Sequence, residues 1–168
     1  MPRVYASIEQ IQVIKTVGPF RTKSAGVLNV RLAVPFVRLP QSFFVYDEEA
    51  LARAPIDLRG LRLYTVTELM RGAEGGGEFH EIRTEFVIVV RGTIRWMCED
   101  LARGKREFVL TQNEAILMPP HICHHYRVDA DHSELMIIAN TLFDPADPRT
   151  HDTYSAEVFH SLQGPQAA

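Results

Sequence analysis

Apolar and polar residues alternate with a period of two along most of this chain, the pattern of half-buried β-strands. Leu28, Val30, Leu32 and Val34 alternate with Asn29, Arg31 and Ala33. Ser42 to Tyr46 is aromatic and β-branched, a composition that suits a pleated surface. Leu61 to Thr67 reads as another strand, and Phe86 to Val90 as a buried one. Ile94, Trp96 and Cys98 alternate with Arg95 and Met97. Glu99 to Gly104 then turns the chain, and Glu107 to Leu110 returns it as a hairpin. Ala115 to Met118 stops at Pro119-Pro120. His124, Tyr126 and Val128 share one face of the next strand, and Leu135 to Ala139 is buried again.

Helical signals are few. Asp47 to Ala54 has an N-cap acid, further acids in its first turn and a stop at Pro55. Asp152 to Leu162 suits a short helix with Tyr154, Val158 and Leu162 as its apolar stripe. Near the N-terminus, Ser7-x-x-Gln10 fits a capping box opening a helix. Ile11, Val13 and Val17 fit a strand equally well, and Gly18-Pro19 and Gly26 are breakers. Short, closely spaced strands with turn chemistry between them imply an all-β antiparallel sandwich or barrel with short peripheral helices. Residues 1–26 form an N-terminal arm or edge segment, and 27–168 the main domain.

The chain has 168 residues, the size of one domain with a real core. At 46% hydrophobic and 23% charged residues it is an ordinary globular sequence, not a disordered one. Net charge is -3 without a basic stripe, which argues against nucleic acid as a partner. No apolar run reaches the length of a membrane span, and the N-terminus lacks a signal-peptide block, so the expected location is the cytoplasm. Cys98 and Cys123 form no CxxC pair and are expected to be reduced, buried thiols.

The stretch GAEGGGEFHEIRTEFVIVVRG, Gly72 to Gly92, concentrates the candidate chemistry. A glycine-rich loop leads to Glu78 and His80, two apart and so on one face of an extended chain. His80 to Glu85 is an odd step, so the backbone must bend or bulge between them for Glu85 to join that face. The plain alternatives are a solvated strand-end pair for Glu78 and His80, a strand-start carboxylate for Glu85 and a core histidine for His124. His121 and His125 read as loop or outward-facing, and His132, His151 and His160 as surface residues. Trp96 reads as core. Arg62 and Arg83 are candidates for an anionic substrate group or plain solvated charges. Tyr126, on the His124 face, is a pocket candidate.

The spacing Gly72-x5-Glu78-x-His80-x4-Glu85-x6-Gly92 resembles the first cupin motif, with Glu78 where the family usually has histidine. Asn113-x5-Pro119-x-His121-x2-His124-x3-Val128 resembles the second, with Asn113 and His121 at its glycine positions. The resemblance implies a cupin domain over 27–168, a double-stranded β-helix jelly-roll barrel with a site in its mouth. It implies Glu78, His80, Glu85 and His124 as ligands of a divalent metal ion such as Fe, Mn, Zn or Ni, with no nucleotide cofactor. A homodimer is expected, with Ile8 to Val17 as an exchanged edge strand.

A narrower resemblance runs through Gly26-Val27-Leu28, Val34-Pro35-Phe36, Phe43 to Asp47 and the tail Asp152-Thr153-Tyr154. These stretches are similar to the sugar-nucleotide ketoisomerases, cupins that shift a carbonyl on a dTDP-linked 4-keto-6-deoxysugar. Gly75-Gly76 stands where those enzymes have Arg-Gly, and Glu78 replaces the first histidine of their His-x-His pair. The segment Glu48 to Gly75 looks like an insertion on the scale of a lid loop. The leading expectation is an isomerase-type cupin acting on a small keto-sugar-like substrate. His80 and Glu78 would be its proton-transfer pair, and Tyr126 and Arg62 its substrate contacts. The alternatives are an Fe(II)-dependent dioxygenase and a non-catalytic small-molecule-binding module.

Overall fold

The computed structural model describes residues 5–15, 17–21, 27–30 and 47–164. The expected strand Ser42–Tyr46 and the second half of the strand expected from Val27 lie outside them.

Two five-stranded antiparallel sheets form the body. One runs in the order β1 (Gln12–Lys15), β9 (Glu114–Met118), β6 (Glu85–Arg91), β11 (Ser133–Thr141), β4 (Arg59–Leu69). The other runs β12 (Tyr154–Ser155), β5 (Glu74–Phe79), β10 (Cys123–Val128), β7 (Thr93–Glu99), β8 (Lys105–Thr111). A separate ladder joins β2 (Val17–Arg21) to β3 (Val27–Val30). This is the antiparallel all-β architecture that the alternation predicted, in the jelly-roll form that the cupin resemblance implied.

The core fills the space between the sheets. Val87 and Val89 of β6 and Ile116 and Met118 of β9 meet Ile94, Trp96 and Cys98 of β7 and Leu110 of β8. The opposite pleat of β6 and β9, with Phe86, Ile88, Ala115 and Leu117, forms a second buried cluster on the other face of its sheet. Phe86 to Val89 is therefore apolar at every position because both faces of β6 are covered.

Several local expectations change. Ser7 and Gln10 do form a capping box, around a 3-10 turn over Ile8–Gln10, and a strand follows it, so both readings of the N-terminus hold in succession. Ile8 and Ile11 enter the main core, and β1 pairs with β9 of its own chain. Gly18-Pro19 does not break the chain; it lies within β2, where the register shifts. The glycine-rich segment is strand, not loop: Gly75 to Gly77 belong to β5, and the ladder to β10 shifts register at His124/His125.

The segment 48–75 is not a lid loop. It contains helix α1 (Glu48–Arg53), capped by Asp47, and then β4, which pairs along β11. In the C-terminal helix α2 (Ala156–Leu162) the buried residue is Phe159, whereas Tyr154, Val158 and Leu162 are exposed. The i, i+4 stripe thus faces outward, and one aromatic packing on Phe79 anchors the helix. Neither helix is long and apolar enough to cross a membrane.

Candidate active site

Pairing across β5 and β10 places Glu78 opposite His124. Gly76 permits that approach. Its φ is +80°, and a β-carbon there would lie 2.8 Å from the His124 carbonyl oxygen. Just past β5 the chain carries His80, turns through residues 81–84 and enters β6 at Glu85. That turn supplies the bend which the odd step from His80 to Glu85 required.

Glu78, His80 and His124 come together, each offering a ligand atom within 4.8 Å of the others. Both histidines are almost fully buried, and Glu78 is half-buried. The His80 Nδ1–H donates to the Asp152 carbonyl at 2.7 Å, and the His124 Nδ1–H to the Ile122 carbonyl at 3.1 Å. A carbonyl only accepts, so each ring carries a proton on Nδ1 and turns Nε2 toward the cluster. Among the described residues the carboxylate nearest the buried His80 Nε2 is that of Glu85, with Oε1 3.5 Å away.

Glu85 stands behind this group, tied into the wall. Its Oε1 accepts from the Tyr64 hydroxyl at 2.7 Å and from Arg83 Nη1 at 2.9 Å. Its two oxygens lie 3.5 Å from His80 Nε2 and 3.8 Å from His124 Nε2. Burial alone would push the Glu85 carboxyl up, but His80, His124 and Arg83 outweigh it and hold the group well below the usual carboxylate range. Burial, with the His80 charge second, pushes His124 down to about 4.

Trp96 lines the same space, stacked on His124 at 5.8 Å and on Tyr126 at 5.2 Å between ring centroids. It is core, as expected, and also a wall of the site. Tyr126 remains half-buried; burial and the nearby Glu78 raise its hydroxyl pKa. Arg62 faces inward from β4, donates to Thr141 Oγ1 at 3.0 Å and lies over the Phe143 ring. Burial and the charge of Arg83 bring Arg62 down to about 10.

Other side chains depart from the sequence reading. Arg83 is neither solvated nor open to a ligand, since it forms a buried ion pair with Glu85. His121 is buried, not outward, and its backbone N–H donates to the His80 carbonyl at 2.8 Å. His151 is half-buried, whereas His125, His132 and His160 are exposed. Tyr64, Arg83 and Asp152 are the members of the site that periodicity did not reveal. Tyr64 lay in a plain strand pattern, and Asp152 gave only the acidic-aromatic tail signal.

For a metal ion, three of the four expected side chains converge with suitable donor chemistry. Two imidazole Nε2 atoms and the Glu78 carboxylate form a group suited to a divalent ion, and both Nδ1 atoms are fixed by carbonyls as bound histidines usually are. Glu85 falls outside that set.

Solved structures share this fold. The sugar 3,4-ketoisomerase QdtA from Thermoanaerobacterium thermosaccharolyticum, in complex with TDP, superposes with a TM-score of 0.62 at 12% identity, over 94% of this chain and 96% of that one. The TDP-fucose-3,4-ketoisomerase WlaRA from Campylobacter jejuni gives 0.60 at 14% identity, over 92% and 96%. The dTDP-4-dehydrorhamnose 3,5-epimerase of Bacillus anthracis gives 0.59 at 12%, over 90% and 81%. At such identities the likeness establishes the fold. Among curated proteins none matches the chain in sequence. The family model FdtA, described as WxcM-like, C-terminal, matches residues 43–158, well over half of the chain, and the protein belongs to that cupin family.

Proposed function

We propose that this protein is an isomerase that moves a carbonyl between neighbouring carbons of a nucleotide-linked deoxysugar. The substrate class is a TDP-linked 4-keto-6-deoxyhexose. Family membership supports the reading, as do the structural neighbours described as 3,4-ketoisomerases. The observation that carries it is the convergence of one carboxylate and two imidazoles in a mostly buried cluster.

The reaction needs only proton movements. A base removes the proton from the carbon beside the carbonyl, and the carbonyl oxygen is protonated, which gives an enediol. The neighbouring hydroxyl then loses its proton as the former carbonyl carbon gains one. No oxidant enters and no atom is lost. His80 is the base through Nε2, the ring nitrogen that the Asp152 carbonyl leaves free to face the cluster; Glu78, beside it, is the partner that relays the proton. His124, held neutral by burial, offers a second Nε2 acceptor for a substrate hydroxyl. Tyr126 supplies a phenol at the half-buried wall, and Arg62 a cation that suits the diphosphate.

The test is direct. Incubation with TDP-4-keto-6-deoxyglucose, the ligand of one QdtA complex, is expected to yield its 3-keto isomer. Substrate recovered unchanged with the wild-type protein would refute the assignment.

A second reading rests on the same three side chains. Glu78, His80 and His124 would hold a divalent ion, Fe, Mn, Zn or Ni, which would polarise the substrate carbonyl as a Lewis acid. Elemental analysis of protein purified without added metal checks this. Iron together with dioxygen uptake would instead favour an oxygenase.

We also infer a homodimer. Among the described residues β4 is the last strand of its sheet, and it exposes Leu61 and Leu63 at 52% and 62%, an apolar surface that a second copy would cover. Leu63→Lys is expected to shift the sedimentation mass to that of a monomer; a wild-type monomer would contradict the inference. The free thiols of Cys98 and Cys123, raised by burial to about 12 and about 11, suit a reducing cytoplasm.

A further inference from the structure

The turn between His80 and Glu85 is held from a distant part of the chain. The consecutive backbone amides of Glu81, Ile82 and Arg83 donate to the Asp152 carboxylate at 3.0, 3.1 and 2.8 Å. Successive amides that converge in this way make a concavity for an anion, and here the anion is a side chain about 70 residues further along. Asp152 itself is 7% exposed.

Its backbone is unusual. The φ of Asp152 is +44°, in the left-handed region, which costs a non-glycine residue roughly 1–2 kcal/mol. That conformation turns its carbonyl toward His80 Nδ1, at 2.7 Å. Arg83 Nη2 reaches the same carbonyl at 3.3 Å, while Arg83 Nη1 holds Glu85 Oε1 at 2.9 Å. One guanidinium therefore spans the acceptors on either side of the His80 ring.

We propose that Asp152 is a positioning residue for His80: its carboxylate fixes the turn, and its carbonyl fixes which ring nitrogen carries the proton. The inference rests on the role of His80 proposed above. Asp152 adds no charge next to the imidazole, because its carboxylate is consumed by the three amides. A neutral carbonyl holds Nδ1, and Nε2 is turned toward Glu78 and His124. The arrangement selects a tautomer and an orientation together, as the third member of a nucleophile–base–orienter chain does.

The test uses the full-length protein and needs no substrate. In nitrogen-15 NMR the wild-type His80 ring is expected as a single tautomer, protonated at Nδ1. Asp152→Gly keeps the carbonyl and accommodates the positive φ but removes the anchor. It is expected to mix the two tautomers and to lower kcat ~10–100-fold with KM within about threefold, the scale of a small misplacement of a reacting group. Asp152→Asn, which also tolerates this φ and keeps one accepting oxygen, is expected to recover part of both. A wild-type ring protonated at Nε2 overturns the proposal, and so does Asp152→Gly with an unchanged tautomer and kcat. Should the glycine variant not fold, the wild-type tautomer and the asparagine variant decide. Should the wild type convert no keto-sugar, the functional proposal falls, and the tautomer measurement still decides the role of Asp152.

Discussion

Gly75 lies directly beneath the ring of Tyr126. The two are paired across β5 and β10, and a β-carbon on Gly75 would sit 2.5 Å from the Tyr126 hydroxyl oxygen. The glycine is thus required by a neighbouring side chain, and the phenol is held flat along the wall, stacked on Trp96. Gly75→Ala is expected to expel Tyr126 from this position at a cost of about 1–3 kcal/mol of stability, typical of overpacking. If Tyr126 contacts substrate, KM rises while kcat changes little. Steady-state kinetics beside a denaturant titration checks both effects.

The Arg83–Glu85 pair is buried, with both side chains 5% exposed. Removing one member leaves an uncompensated charge in the wall. Arg83→Met is expected to destabilise the fold by about 3–5 kcal/mol. The double variant Arg83→Met/Glu85→Gln is expected to lose less than the sum of the single losses, because the unpaired charge is gone. Chemical unfolding of the three variants gives the coupling. Glu85 also carries a pH signature. Its folded-state pKa lies well below the ordinary 4.5, so its stabilisation is complete above that value and is lost as pH falls through the folded pKa.

His124 acts in the same direction at higher pH. Its pKa falls from 6.5 in the unfolded chain to about 4 in the folded protein, chiefly through burial. Between those values the unfolded chain binds more protons, so stability declines as pH falls through that window. Above it His124 adds no penalty, and below it the penalty is complete, roughly 3 kcal/mol. Unfolding free energy measured across the window is expected to drop in the wild type and to flatten in His124→Gln.

The body of the fold was legible because each strand writes its own period. Alternation located β4, β7, β10 and β11, and the cupin spacing brought residues 78, 80 and 124 to one place. Even the departures from the second motif follow a physical rule. Asn113 and His121 stand at its glycine positions, and both have left-handed φ values, 71° and 60°. The pattern was less informative where non-local geometry decides. Gly75 to Gly77 resemble a loop locally, yet a paired strand and the Tyr126 ring impose their conformation. Arg83 is indistinguishable in sequence from a solvated arginine, because its burial depends on Asp152 and Glu85 arriving around it. The Tyr154, Val158 and Leu162 stripe was misread because the helix packs through the single face holding Phe159.

The central claim is that His80 moves a proton between adjacent carbons of a keto-sugar. The most direct measurement is proton NMR of TDP-4-keto-6-deoxyglucose incubated with the protein in deuterium oxide. The account predicts a 3-keto product carrying deuterium at the carbon that held the carbonyl, with conversion lowered ~100–10,000-fold in His80→Asn, the range lost with a general base. Unchanged conversion and labelling in His80→Asn would contradict it.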